Sequence, residues 1–487
     1  MLRKITHKKS FDKSEVLFYS FSFILLSSLF LGIALEKYYL FVFPAILLFL
    51  FQVIVDFKKV FYLLFAMVPL STELSLPGGF ATDFPVEILT VVLMGVFFLY
   101  ILKQGKDISS KFYLHPISLL LLLHFTWIFT TTLFSTHYFV SIKYLLAKTW
   151  YIVVFYLMTG EILKKNIDIK KLFWWIYIPI FFTILVIMVR HSAYGFTFKS
   201  VNKILFPFYR NHVDYACAVS VFMPLLWMSW IKEKRGSIIK YLLLFSLFFF
   251  LLAIQLTYTR TAYISMFLVV IYYFIVRLKL TRLVVGLSII GIFSLTAYLA
   301  HNNKYLDLAP DYQTTTVHRE FEDLVSATYK GKDISTMERV YRWVAAGNMI
   351  KEKPVTGFGP GTFTFTYRPY TLHGFETYVS DNPEKSGTHN YFLMTASEQG
   401  IPGIIIFLSL LFYFLIKGET VYFESKNKED KQIVMMSILT MVIVITILLM
   451  NDMIETDKVG PYFFLSMAIL VNMDLKNKKL NQPIEKI

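Results

Sequence analysis

A single cysteine in 487 residues, Cys217, leaves no partner for an intramolecular disulfide. It also excludes any CxxC zinc, iron–sulfur or thioredoxin-type site within one chain. Charge is scarce: 17% of residues are Asp, Glu, Lys or Arg, against roughly 25% in a soluble protein. Three motifs are missing as well. Without HExxH, GxxxxGK[ST] or Asp-x-Asp there is no support for a metalloprotease, an ATPase or a nucleotide-sugar glycosyltransferase. The run Gly357-x-Gly359-x-Gly361 lacks both the strand–turn–helix context and the Lys-Ser/Thr of a phosphate loop, so it reads as a structural turn.

Apolar residues fill the space left by charge: 56% of the chain, with 49 Phe and 31 Tyr and a mean hydropathy of +0.57. About 20 consecutive apolar residues suffice to cross a bilayer, and the sequence offers such runs repeatedly. It predicts an all-α polytopic membrane protein of 12–14 transmembrane helices, with candidates at 16–35, 38–55, 60–72, 86–102, 115–134, 144–162 and 172–189, then 213–231, 241–257, 262–277, 283–300, 400–416, 432–450 and 459–474. The weakest are 60–72, which is short, and 144–162, which contains Lys148.

Lys and Arg exceed Asp and Glu by 15, an excess that in a soluble protein would suggest nucleic acid. Here more than half of the basic residues fall in alternate inter-span loops, the pattern of cytoplasmic loops, so no nucleic-acid partner is expected. Both termini are then cytoplasmic, and the basic N-terminus with its apolar run reads as a retained first span rather than a signal peptide. Three regions follow: an N-terminal bundle over 1–300, an extracytoplasmic helical loop over 301–388, and C-terminal spans with a short tail over 389–487. Within the loop, Ser335-Thr-Met-Glu338 resembles a capping box, and Val340, Trp343, Val344, Gly347 and Ile350 follow at helical spacing up to Pro354. A second helix is expected from Thr316 to Tyr329.

Polar groups at span ends are costly and so are functional candidates. His389 sits where the large loop re-enters the membrane, and a neutral imidazole there could take a proton from an attacking hydroxyl; the alternative is a histidine bonded to a loop carbonyl. Arg260, in Thr257-Tyr-Thr259-Arg260, is either a phosphate ligand or an interfacial anchor. Arg210-Asn211-His212-Val-Asp214 is a dense polar group at another span mouth, or a loop capping the next helix.

The residues from Arg342-Trp343 through Pro354-Val-Thr-Gly357-Phe-Gly359-Pro-Gly361, then His389-Asn390 and Glu398-Gln-Gly400-Ile-Pro-Gly403, resemble the O-antigen ligase and polysaccharide polymerase superfamily of bacterial inner-membrane glycosyltransferases. Thr257-Tyr-Thr259-Arg260 is similar to that group's Thr/Ser-Arg signature, and Arg210 through Ala216 to a looser upstream element. Pro69-Leu-Ser71-Thr-Glu73 and Phe84-Pro85-Val-Glu87 look like an N-terminal element of some members.

The resemblance implies an enzyme of the bacterial inner membrane, its active site facing the periplasm. It would move a glycan en bloc from a polyprenyl diphosphate to an acceptor hydroxyl on lipid A–core oligosaccharide or another glycan, among membrane lipids and with no cofactor or metal. It implies His389 as base, Arg260 and Arg210 on the diphosphate, and Asn390 and Arg342 as further substrate-binding residues. Repeat-unit polymerase and protein O-oligosaccharyltransferase remain open within the group. A polysaccharide flippase is the alternative outside it.

Overall fold

The computed structural model describes residues 13–34, 43–76, 80–105, 110–164, 168–308, 334–376, 380–382 and 386–481. Both chain termini and the helix expected over 316–329 lie outside the described residues. The chain divides into two units, Met1–Leu63 and Leu64–Ile487.

The first unit contains α1 (Lys13–Ala34), α2 (Phe43–Val55) and the start of α3 (Phe57–Met67). Phe23, Leu26 and Phe30 of α1 are exposed, as is Phe51 of α2, which in a bilayer is where lipid chains lie.

The second unit opens with a hairpin of β1 (Thr72–Leu76) and β2 (Phe80–Phe84), antiparallel, with Thr72 opposite Phe84 and Glu73 opposite Asp83. It continues through α4 (Val86–Gln104), α5 (Pro116–Leu133), α6 (Tyr138–Leu163, with a π-helical stretch at Ile152–Met158), α7 (Ile169–Ser192), α8 (His212–Lys232), α9 (Ile238–Gln255), α10 (Arg260–Arg277) and α11 (Thr281–Ala300). After the large loop, with α12 (Ile334–Glu352), come α13 (Tyr391–Glu424), α14 (Lys428–Met450) and α15 (Gly460–Asn481).

Among the described residues ten helices are long and apolar enough to cross a membrane, α4 to α11 together with α13 and α14. The protein is an all-α polytopic membrane protein, and ten of the expected spans appear at their expected places. Helices also stand over the expected first and last spans, α1 and α15, each of 22 residues; α2 has 13 residues and α3 has 11. The span expected over 60–72 stops at Met67, because Pro69 and the polar run Ser71-Thr72-Glu73 cannot continue an apolar helix; the chain turns into the hairpin instead.

α14 is the axis of the unit. Its apolar window is 83% buried, and α8, α10, α13 and α15 pack around it. α11 shows the reverse pattern: Leu283, Leu287, Ile290 and Phe293 are exposed along its length, the character of a lipid-facing helix. Hydrogen bonds from Thr259 to His212, from Asn390 to Leu449 and from Arg210 to Asp83 gather the starts of α8, α10 and α13, the end of α14 and the hairpin at one end of the bundle.

Lys148, the charge that made α6 doubtful as a span, is 4% exposed and pairs with Glu455 at 2.9 and 3.1 Å. Tyr391 donates to the same carboxylate at 2.8 Å, and Tyr144 donates to it too. A charge inside a spanning helix is tolerated when it is paired in this way. Removing Lys148 alone leaves Glu455 uncompensated. A fully buried pair broken on one side costs about 3–5 kcal/mol; Glu455 keeps 27% exposure, so Lys148→Met should cost about 2 kcal/mol. Thermal unfolding in detergent checks this, and adding Glu455→Gln should recover most of the loss.

Candidate functional site

The chemistry gathers around two short segments at this end of the bundle, the loop 386–390 ahead of α13 and the loop 451–459 between α14 and α15. Asn390 is the N-cap of α13: its Oδ1 accepts from the Leu393 amide at 3.0 Å and its Nδ2 donates to the Leu449 carbonyl at 3.2 Å. His389 precedes it with φ +53°, a left-handed conformation that costs a residue with a Cβ roughly 1–2 kcal/mol. Strain of this kind persists only where the surroundings over-determine it.

α12 provides that constraint. Arg342, buried, donates to the Gly387 carbonyl at 3.2 Å and pairs with Glu338 at 3.3 Å, while Trp343 Nε1 donates to the Thr388 carbonyl at 3.0 Å. Glu338 also accepts from Ser380 at 2.7 Å, so its carboxylate ties α12 to the segment before α13, while the Ser335 side chain of the expected capping box lies outside the described residues. A Cβ at Gly387 would lie 2.0 Å from the Asp452 carboxylate, so a side chain there would displace that carboxylate from its present position.

The His389 ring is half-buried, and among the described residues no hydrogen bond to it is formed. Burial, then the charges of Arg339 and Arg342, lower its pKa from 6.5 to about 4. The imidazole is therefore neutral and able to accept a proton, and any anion that offsets the two guanidinium groups would make it a stronger base. Burial raises the neighbouring Asp452 carboxyl above the usual carboxylate range, against the pull of a backbone hydrogen bond and Arg342.

Arg260 is the first residue of α10, half-buried. The turn before it is tight: Tyr258 has φ +56°, Thr257 Oγ1 donates to Ile254 and accepts from the Thr259 amide. The threonines of the Thr-x-Thr-Arg pattern therefore form the turn that precedes the arginine. Asn451 Nδ2 reaches Thr261 at 3.5 Å, which brings the start of α10 to the same loop that carries Asp452.

Arg210 lies apart from His389, in a cavity of about 280 Å³ on the hairpin side. Its Nε meets Glu73 at 2.9 Å and its Nη2 meets Asp83 at 2.9 Å. Those carboxylates face each other across the hairpin, a repulsive cross-strand pair unless a cation lies between them. Two carboxylates thus meet the fork that the sequence expectation places on a diphosphate. Asn211, its neighbour, caps α8 by accepting from the amides of Val213 and Asp214, the structural part of the reading of that motif.

The glycine turn is structural, as its sequence suggested. α13 is broken at Gly400, φ +71°, and Pro402 has no amide to give back to Glu398. The turn supplies what the break removes: Phe358 N donates to the Ser397 carbonyl at 3.1 Å, Gly359 N to the Glu398 carbonyl at 2.8 Å, and the Ile401 amide goes to Pro354 at 2.7 Å. The Glu398 carboxylate completes the clasp, accepting from Gly361 N at 2.8 Å and Phe363 N at 2.9 Å.

Sequence reasoning missed the 451–459 loop. Asp452, Glu455, Asp457 and Lys458 are close in sequence without a motif spacing, and what distinguishes them is that each meets a different part of the rim. Arg339, one helical turn from Arg342, was likewise visible only as part of an amphipathic helix.

Residues 245–408 match the family model described as O-antigen ligase. Over this segment the chain is similar to the O-antigen ligase family. No curated protein matches it. The ligase-like segment contains Arg260, Arg342, His389, Asn390 and the Glu398 clasp, and leaves Arg210 and the 451–459 loop outside. It supports O-antigen ligase- or polymerase-type function in general, with a glycosyltransferase-like activity, and glycan and lipid as substrates.

Two outcomes are expected. Labelled His389 should titrate in an NMR pH series with a midpoint near 4, and Arg342→Ala should raise it; a midpoint at 6.5 in the unaltered protein would remove the electrostatic account. Gly357 has φ +63°, and a Cβ there would meet the Glu398 backbone at 2.3 Å. Gly357→Ala should therefore cost at least ~1–3 kcal/mol, seen as a lowered unfolding temperature.

Proposed function

We propose that this ligase-like protein transfers a glycan en bloc from a polyprenyl diphosphate to a hydroxyl of lipid A–core oligosaccharide, at the periplasmic face of a bacterial inner membrane. The observation that carries the reading is the neutral His389 held in a strained turn beside Arg339 and Arg342, within the segment that matches the family.

Transfer requires the acceptor oxygen to lose a proton as it attacks the anomeric carbon, and the diphosphate to leave with the bonding electron pair. His389 takes the proton. Arg260, at the N-terminal end of α10, stabilises the negative charge that develops on the leaving diphosphate, an electrostatic role worth several kcal/mol in a water-poor site. The incoming diphosphate also offsets the charges that hold the His389 proton off, so the base gains strength when donor is bound. Arg342 and Asn390 act on substrate through the loop they hold, Arg342 by its bond to Gly387 and Asn390 by its cap on α13. The donor diphosphate bond supplies the driving force.

The charge pattern supports the orientation. The opposite end of the bundle carries Lys232, Lys417, Lys476 and Lys478, paired with Glu429, Asp474 and Asp430, as expected of a cytoplasmic face.

His389→Ala should abolish transfer from a purified lipid-linked donor while membrane insertion stays normal; full turnover in that variant would remove the base. Arg260→Lys should lower kcat about tenfold or more, because the charge remains and the fork is lost. The acceptor is read from surface polysaccharide of a deletion strain. Loss of long chains from the lipid A core, with polymer accumulating on the carrier, supports a ligase; cores capped by a single repeat unit would replace it with a polymerase.

A further inference from the structure

The large loop leaves apolar side chains bare where it touches the spanning helices. The Pro354 carbonyl accepts from the Ile401 amide at 2.7 Å, and the Phe358 carbonyl accepts from the Thr136 amide and hydroxyl, both at 2.9 Å. The Pro360 carbonyl takes the Ser141 hydroxyl at 2.8 Å, and the His137 and Phe365 rings stand 5.5 Å apart. The clasp, the turn between α5 and α6 and the start of α6 thus form one continuous surface. On it Phe134 is 61% exposed, Phe139 87%, Val355 59% and Phe365 50%. One exposed apolar side chain needs no explanation, but several on adjoining segments mark a contact. The loop does not lack a core of its own, since Phe358, Phe363 and Tyr367 are buried in one.

The level of this surface follows from the helices beneath it. His115, the N-cap of α5, and Lys417 of α13 both reach the Asp474 carboxylate, at 3.0 and 2.9 Å, which marks a common level at the lysine-bearing end of the bundle. At about 1.5 Å per residue, α5 rises about 28 Å from His115 to Phe134, and α13 about 24 Å from Lys417 back to Ile401. Neither stretch contains Asp, Glu, Lys or Arg between those ends. A hydrocarbon core is about 30 Å thick, so the clasp and the turn stand at its far boundary rather than in the water beyond it. Two exposed apolar stripes lead up to them: Leu119, Leu123, Phe129 and Leu133 on α5, ending beside Phe134, and Ile405 and Ile401 on α13, ending at the amide bonded to Pro354, next to Val355.

We infer that the clasp and the α5–α6 turn form a membrane-inserted foot, with Phe134, Phe139, Val355 and Phe365 seated among lipids at the boundary of headgroups and acyl chains. The occupant is lipid because the lipid-facing stripes of α5 and α13 run into the patch with no charged residue between, and apolar side chains at this depth are covered by the headgroup and acyl boundary. Irregular backbone is tolerated there where protein groups satisfy it, as the Ile401 amide, Thr136 and Ser141 do. The region expected to be wholly extracytoplasmic, 301–388, is then partly within the bilayer. α12 shares the loop core with Phe358 and holds the His389 loop through Arg342 and Trp343, so the foot sets the height of that loop above the hydrocarbon. The inference needs only a chain that spans a membrane and does not depend on the transfer chemistry.

The sole cysteine, Cys217, is 0% exposed, so labelling of an introduced cysteine reports one position at a time. Phe139→Cys, Val355→Cys and Phe365→Cys are labelled with a bimane fluorophore in the full-length protein and reconstituted in vesicles of phosphatidylcholine and phosphatidylglycerol. His373→Cys serves as the water-facing control, because that side chain is 100% exposed in the same loop. Quenching is read with iodide in both aqueous compartments and with lipids that carry a nitroxide near the head of the acyl chain. The three patch positions should be quenched at least about twofold more by nitroxide lipid than the control, and at least about twofold less by iodide. Iodide quenching equal to the control would overturn the foot and leave the loop in water. Shielding from both quenchers would also overturn it, and relief of that shielding on dilution of the protein in lipid would assign the patch to a second copy of the chain. All three positions are exposed and independent, so a variant that fails to fold leaves the other two to decide.

Discussion

A spanning helix interrupted at Gly400 exposes carbonyls that no helical amide can reach, and a bilayer offers no water to satisfy them. The structure answers with a loop from outside the helix. Phe358 and Gly359 fill the carbonyls of Ser397 and Glu398, Trp127 Nε1 fills that of Gln399 at 2.8 Å, and the Glu398 side chain returns the contact to Gly361 and Phe363. The extramembrane segment is thereby fastened to the membrane helix that carries His389 one residue ahead of its cap. A small apolar core, including Tyr341, Ala345, Met349, Phe358, Phe363 and Tyr367, grows over that clasp and fixes α12. Without it, Arg342 and Trp343 would have no fixed position from which to hold the histidine loop.

The second constraint is electrostatic. The starts of α8, α10 and α13, the end of α14 and the hairpin converge on one end of the bundle, and the nine residues from Asn451 to Val459 distribute among them. Glu455 neutralises the lysine inside α6, Asp452 approaches Gly387, and Asp457 with Lys458 seals the segment before the hairpin. The rim is consequently partitioned by sign. Arg339 and Arg342 stand near His389, and carboxylates prevail around Arg210.

Much of this architecture was legible in the sequence. Runs of about 20 apolar residues mark spans because the bilayer requires them, and ten of the expected helices stand where the runs lie. The short stretch at 60–72 ends early because Pro69 and the polar residues after it stop the helix at Met67. The glycine run was read as a turn, and its partner was invisible because Glu398 lies 37 residues beyond Gly361. Lys148 looked anomalous for the same reason: its counter-charge is more than 300 positions away.

The sequence by itself determined that the chain lives in a membrane, where most of its spans lie, and which polar residues stand at their mouths, since each follows from local composition and spacing. Only the tertiary structure decided which of those residues meet. The pairing of Arg210 with Glu73 and Asp83, the lowered basicity of His389 beside Arg339 and Arg342, and the role of the 451–459 loop depend on distances across the fold. Coulomb interaction and hydrogen bonding act over a few ångströms in space, and no local pattern along the chain encodes that separation.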